Sequence, residues 1–330
     1  MRRRRFISLI ASAATWPSLA ALAQSPKKYR LGFVSTGAAG AQTYLTGTKD
    51  FTEGLRQIGY VEGQNLGIFA RFAEGDPKRF REFARELVAL KVNAILVQSA
   101  GVASIFHDYT QDVPIVAWSA GDLEGSGMVQ SLRRPGGNVT GIQTLAPDLM
   151  TKRLQLLKQI VPALTSVGFV KPITPTGLIT KRYIDVTINA AQTLGVELIQ
   201  FEVHAVEEFR SVFETMAGRG IQAALIISNP LSSNNRVEIV AAAAQVRVPT
   251  MYEIRDFVFS GGLVAYGAVR RDFPRLAAGI LDQIFKGTSP AEIPIQQASK
   301  FELTLNLKTA AVLNLQIPPT VLALADEVIE

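Results

Sequence analysis

Short apolar runs that stop at glycine- and hydroxyl-bearing loops, each followed by an amphipathic helix, leave this chain few folds to choose from. Arg30-Leu31-Gly32-Phe33-Val34-Ser35 runs into Thr36-Gly37-Ala38-Ala39-Gly40, and a helix over 42–58 follows with Phe51, Leu55 and Ile58 at helical spacing. Strand 66–72 and helix 80–90 come next, then the buried strand Ala94-Ile95-Leu96-Val97, which ends at Ser99-Ala100-Gly101. Ile115-Val116-Ala117-Trp118 stops at Ser119-Ala120-Gly121-Asp122. Strands this short and this apolar must be covered on both faces, so the sequence predicts a parallel sheet between helical layers.

The alternation pauses at 134–141, Arg-Pro-Gly-Gly-Asn-Val-Thr-Gly, read as a turn-rich break, and then restarts. Helices are expected over 149–160, 181–194, 206–217 and 236–246, and strands over 166–170, 197–203, 223–228 and 250–252. Two successive units of one architecture result, without a sequence repeat. A tail follows: a strand over 263–266, a helix over 273–285 and the alternating strand Phe301-Glu302-Leu303-Thr304-Leu305-Asn306-Leu307. These late elements must join sheets already begun, so the chain passes between units more than once, with a hinge and a cleft between them. We expect lobe 1 from residues 26–141 and 256–298, and lobe 2 from 142–255 and 299–330.

The first 23 residues stand apart from this pattern. Arg2-Arg3-Arg4-Arg5, the apolar Phe6-Ile7-Ser8-Leu9-Ile10-Ala11 and the small-x-small Ala21-Leu22-Ala23 have the form of a secretory signal peptide. The paired arginines are also compatible with twin-arginine export. Periplasmic localisation is therefore expected. Four of the six excess positive charges belong to Arg2–Arg5, and the remaining Lys and Arg are scattered, which argues against a nucleic-acid partner. Beyond residue 23 no run of about 18 apolar residues marks a membrane span.

Catalytic and metal chemistry find little to work with. The chain has no Cys and two His, and His107 and His204 lie in different expected lobes. Thiol nucleophiles and thiolate zinc sites are thereby excluded. There is no Gly-x-Ser-x-Gly elbow and no phosphate loop ending in Gly-Lys-Ser/Thr. Gly125-Ser126-Gly127 lacks the third glycine of a dinucleotide fingerprint, since position 130 is Gln. No catalytic residue, cofactor or metal is expected, and the carboxylates show no obvious pair.

What remains are the polar loops at the carboxyl ends of strands, where open α/β sheets bind ligands. Ser35 and Thr36, and Ser99-Ala100-Gly101, open helices whose backbone N–H groups favour an anion. Asp122, at another strand end, is placed to receive a cationic amine. Asn229, before Pro230, supplies a polar strand end in the second unit. Trp118, Tyr252 and Tyr266 are candidates to stack on a ligand ring. For Ser and Asp helix capping is the competing reading, and for the aromatics it is packing.

Several long stretches carry a family resemblance. They are 54–65, 73–77 with the helix after it, 132–141, 257–267, Lys300-Phe301-Glu302-Leu303 and 317–329. With them the chain resembles the tryptophan/tyrosine-type periplasmic substrate-binding proteins of ABC transporters. The resemblance implies a two-lobed α/β periplasmic-binding-protein fold with three crossovers, closing over a small-molecule solute and delivering it to an inner-membrane ABC permease. Ligands in the family include aromatic amino acids; for this chain a small carboxylate-bearing solute, an amino acid or aromatic carboxylate, is expected, bound by a monomer without enzymatic activity. Ser35, Thr36, Ser99, Gly101 and Asp122 fall where the first lobe of such proteins holds a ligand. The chain departs from the family pattern at 171–175, at 231–235 and at Trp118. A ligand-sensing module for a receptor or kinase, or an exported enzyme, are the competing functions.

Overall fold

A computed structural model of the protein describes residues 28–330 apart from 40, 41 and 162, and the side chains of 42–48 are outside the description. The signal-peptide reading of residues 1–23 lies outside the described residues.

The first unit unfolds in chain order as β1 (Tyr29–Ser35), α1 (Gln42–Gln57), β2 (Leu66–Phe72), α2 (Arg79–Ala89) and β3 (Ala94–Val97). It continues with α3 (Ala100–Tyr109), β4 (Ile115–Ala120) and β5 (Val139–Gln143). The second comprises α4 (Met150–Ile160), β6 (Ser166–Pro172), α5 (Lys181–Thr193), β7 (Glu197–Val203) and α6 (Glu208–Gly218). After these come β8 (Ala223–Ile226), α7 (Pro230–Asn234), α8 (Arg236–Gln245) and β9 (Thr250–Tyr252). The tail is α9 (Asp256–Phe259), β10 (Val264–Ala268), α10 (Phe273–Phe285), β11 (Gln296–Gln297) and β12 (Phe301–Asn306). It ends with α11 (Leu307–Val312), α12 (Pro319–Leu322) and β13 (Glu327–Ile329).

Two sheets result, as the alternation predicts. The first has the order β11-β5-β4-β3-β1-β2 and is parallel throughout. The second runs β13-β12-β10-β9-β8-β6-β7, with β10 and β12 its antiparallel neighbours. The period-2 geometry of a strand sends successive side chains to opposite faces, and each sheet accordingly separates two cores. Leu31 and Phe33 of β1 pack with Phe51 and Leu55 of α1 and with α10, whereas Val34 faces α2 and α3. In the second sheet Phe169 joins the core under α4 and α5, and Val170 the core under α6 and α8.

The chain crosses between the sheets three times: after β5, after β10 and after β11. One expected boundary moves. The sequence reading places 256–298 whole in lobe 1, yet α9 and β10 stay with the second sheet. There Val264 and Ala265 pair in parallel with Met251 and Tyr252 of β9, and the chain returns only after Ala268. The whole segment between Tyr252 and Val264, α9 included, makes the crossover that neighbouring parallel strands need, so the chain stays with the second sheet.

A second correction concerns 134–141, read as a break. Its last residues begin β5, and Gly141 explains why the strand was hidden. At φ +151, a Cβ there would overlap the Ala117 carbonyl, where the β4–β5 register shifts. Close backbone approach at this irregularity requires glycine.

Helix α10 completes the first unit from far along the sequence. Phe285 stacks on Tyr29 at 4.7 Å, and Tyr60 Oη donates to Asp282 Oδ1 at 2.9 Å. Burial and the Asp282 carboxylate both raise the Tyr60 pKa, so the phenol keeps its proton. Tyr60→Phe is expected to lower the unfolding free energy by about 1.5 kcal/mol, the contribution of a hydrogen bond to a charged acceptor. The urea midpoint checks this, with an unchanged transition slope.

Candidate ligand-binding cleft

The carboxyl ends of both sheets face one cavity of about 640 Å³, counting the part open to solvent. The first unit contributes Ser99, Ala100 and Gly101 after β3, and Ser119 and Gly121 at the end of β4. The second brings the loop after β6 (Thr176 to Ile179), Ile227 to Pro230 after β8, and Glu253 after β9. Arg153 of α4, Tyr183 of α5 and Arg270 after β10 also line it.

Beneath the cavity lies a buried polar network. Arg153, 1% exposed, donates from Nη1 to Glu253 Oε1 at 2.7 Å and to the Ala146 carbonyl at 2.9 Å. Its Nε donates to the Tyr266 carbonyl at 2.8 Å. Glu253 Oε1 also accepts from the Tyr183 hydroxyl, and Oε2 accepts from the Ser228 N–H at 2.7 Å. Burial pushes the Glu253 carboxyl up, opposed first by Arg153 and then by the Ser228 N–H. Burial likewise pulls the Arg153 guanidinium down, opposed by Glu253. A buried ion pair of this kind is held together by its hydrogen bonds and would be costly to break from one side.

Direct contacts bridge the two units across the cleft. Ser99 is the N-cap of α3, its Oγ accepting from Val102 N at 3.2 Å while donating to the Thr176 carbonyl at 3.2 Å. A Cβ on Gly101 would overlap that same carbonyl, so the loop backbone lies directly on the first turn of α3. Thr180 Oγ1 donates to Asp122 Oδ2 at 2.7 Å, and Asn234 Nδ2 donates to the Thr36 carbonyl at 3.4 Å.

Four of the sequence candidates line the cavity: Ser99, Ala100, Gly101 and Asn229. Asn229 is also the N-cap of α7, in a capping box with Ser232. Ser35 and Thr36 do not line it. Ser35 Oγ accepts from Gly37 N, and Thr36 Oγ1 is bonded to Gln98. Asp122 was expected to receive an amine, yet its oxygens are taken by Gly125 N and Thr180. Trp118 packs half-buried against the core shared by α1 and α10. Tyr252 is fully buried, stacked on Phe257 at 4.6 Å, and Tyr266 packs beside Phe301 at 6.5 Å. The three aromatics therefore pack rather than line the cavity.

Sequence reasoning missed Arg153, Tyr183, Glu253 and Arg270. A signal existed for two of them. Arg153 sits among Met150, Leu154 and Leu157 on the apolar face of α4, an unusual place for a charge. Glu253 immediately follows β9, at a strand end.

Asp122 acts as a latch between the units. Asp122→Asn replaces a charge-assisted hydrogen bond by a neutral one, so it is expected to favour opening by about 1 kcal/mol. Small-angle scattering of the solute-free protein checks this by a larger radius of gyration.

Comparison with known proteins agrees with this architecture. A tyrosine-binding protein of Clostridioides difficile is 23% identical over 81% of this chain and 76% of its own. A crystal structure of an ABC domain from Streptococcus pneumoniae in complex with L-Trp superposes with a TM-score of 0.82. It is 22% identical, over 92% of this chain and 100% of that one. A conserved domain protein from Vibrio cholerae gives the same figures, a TM-score of 0.82 and 22% identity over 92% of this chain and 100% of that one. These neighbours carry the expected fold of two mostly parallel sheets flanked by helices. Residues 41–329 match the family of ABC transporter substrate binding proteins, and the chain belongs to that family.

Proposed function

We propose that the protein captures a small carboxylate-bearing solute between its two lobes in the periplasm and delivers it, as a monomer, to an ABC permease for import. The observation that carries this reading is a cavity built from the strand ends of both sheets, with the Arg270 side chain exposed to it. A solute touching both lobes at once stabilises the closed arrangement by its differential affinity for that state. The lobes divide within 144–149, 269–272 and 298–300, so that residues 28–143 and 273–297 move against the rest. The basic and apolar leader read in residues 1–23 supports export. The names of the relatives, a tyrosine-binding protein and an L-Trp complex, support amino acids and aromatic carboxylates as the ligand class.

The test is a thermal-shift screen of amino acids and aromatic and aliphatic acids on refolded, ligand-stripped protein. One solute class is expected to raise the melting temperature. At a hundredfold excess over Kd the gain is about 2.7 kcal/mol. A flat response across the panel would remove solute capture.

A further inference from the structure

We infer that the solute is an organic acid without an ammonium group, its carboxylate held by Arg270 and its body lying against an apolar wall. The inference rests on the capture reading and narrows the ligand it takes.

The charges of the cavity carry the argument. Three ionisable side chains line it: Arg153, Glu253 and Arg270. The first two neutralise each other at 2.7 Å. Arg270 is exposed to the cavity, and its side chain has no hydrogen bond or ion pair among the described residues. Asp256, Glu253 and Glu302 act on it only from beyond ion-pairing distance. One guanidinium therefore remains to be matched, and a carboxylate matches it in charge and in forked geometry.

An amino acid would bring an ammonium as well, and no carboxylate in the cavity is free to receive it. Glu253 is already engaged by Arg153, Tyr183 and Ser228. Asp122, beside the lining residue Gly121, is engaged by Gly125 and Thr180. Residues 1–27, 40–48 and 162 contain no Asp or Glu, so every acid of the chain is among those described. An ammonium desolvated beside a guanidinium without an acidic partner is strongly disfavoured.

The remaining polar groups suit a carboxylate. Ser228 lines the cavity, and its Oγ, buried behind the surface, has no hydrogen-bond partner. Ser119 and Thr144 add two hydroxyl donors. The first turn of α3, the other natural anion position, is covered by the Thr176 carbonyl. That leaves the anion to the Arg270 side. Leu178, Ile179, Ile227 and Pro230 present hydrocarbon to the rest of the ligand.

The experiment is calorimetric titration of the refolded, ligand-stripped protein with matched pairs. These are phenylalanine and 3-phenylpropionate, tyrosine and 3-(4-hydroxyphenyl)propionate, and leucine and 4-methylpentanoate, with benzoate added. At least one amine-free acid is expected to bind about tenfold or more tightly than its amino partner. Arg270→Gln should weaken that acid by about tenfold or more, and Arg270→Lys should weaken it less, with melting temperatures near wild type. Tighter binding of the amino acids overturns the inference and leaves solute capture standing. Binding of amine-free acids that ignores Arg270→Gln overturns it also. Silence across the panel overturns both.

Discussion

Arg153→Met is expected to destabilise the protein by about 3–5 kcal/mol, because it strands the Glu253 carboxylate in the interior. Methionine keeps most of the volume, so the loss reports charge rather than a cavity. Glu253 would retain only the neutral donors Tyr183 and Ser228 N. Its pKa, already raised by burial, rises further once its largest opposing influence is gone. The sign of the pH dependence follows. A carboxyl whose folded pKa lies above its unfolded one binds more protons when folded, so stability falls as pH rises through that interval. The defect should therefore be large at pH 8 and shrink toward pH 5, by urea unfolding at both. Arg153→Met with Glu253→Gln should recover most of the loss. A single variant within 1 kcal/mol of wild type, or a defect indifferent to pH, would contradict the buried pair.

Gly101→Ala is expected to hold the lobes apart while leaving each intact. The new methyl overlaps the Thr176 carbonyl, which belongs to the opposite lobe, so strain appears only on closing. Within the first turn of α3 alanine is the better helix former, so lost helix stability cannot explain lost function. If the closable fraction falls to a tenth, apparent solute affinity falls about tenfold. Titration with a binding acid gives the affinity, and scattering gives an enlarged radius of gyration that the solute no longer reduces. Affinity equal to wild type would mean that the loop after β6 can move off α3 at no cost.

The sheets were legible because they rest on local periodicity. Phe51 and Leu55 set a helix face, although Ile58 falls past the end of α1 and is exposed, and Ala94–Val97 is a strand buried along its whole length. Strand β5 was not legible, since Gly141, one of the glycines that suggested a turn, is there to let two backbones meet at Ala117. The allocation of β10 depended on which neighbour it pairs with, a long-range choice that composition does not encode. In the cleft, the rule that ligands meet strand ends led to Ser99, Ala100, Gly101 and Asn229. It misplaced Asp122, because the Thr180 hydroxyl that occupies it lies 58 residues away. The rule could not reach Arg153, which is on a helix; Arg270 does follow the carboxyl end of β10, but β10 was allocated to the other lobe.

The late arrival of α10 has a consequence for biosynthesis. While the polypeptide emerges from the ribosome, the core of Leu31, Phe33, Phe51 and Leu55 lacks its α10 side until Phe273–Phe285 has been translated. That is roughly 240 residues after β1, on the order of ten to fifty seconds at about 5–20 residues per second. Over that interval the nascent front half exposes a sticky apolar face, so it must be shielded by a holdase or remain a loose coil. Its final collapse waits for the end of synthesis.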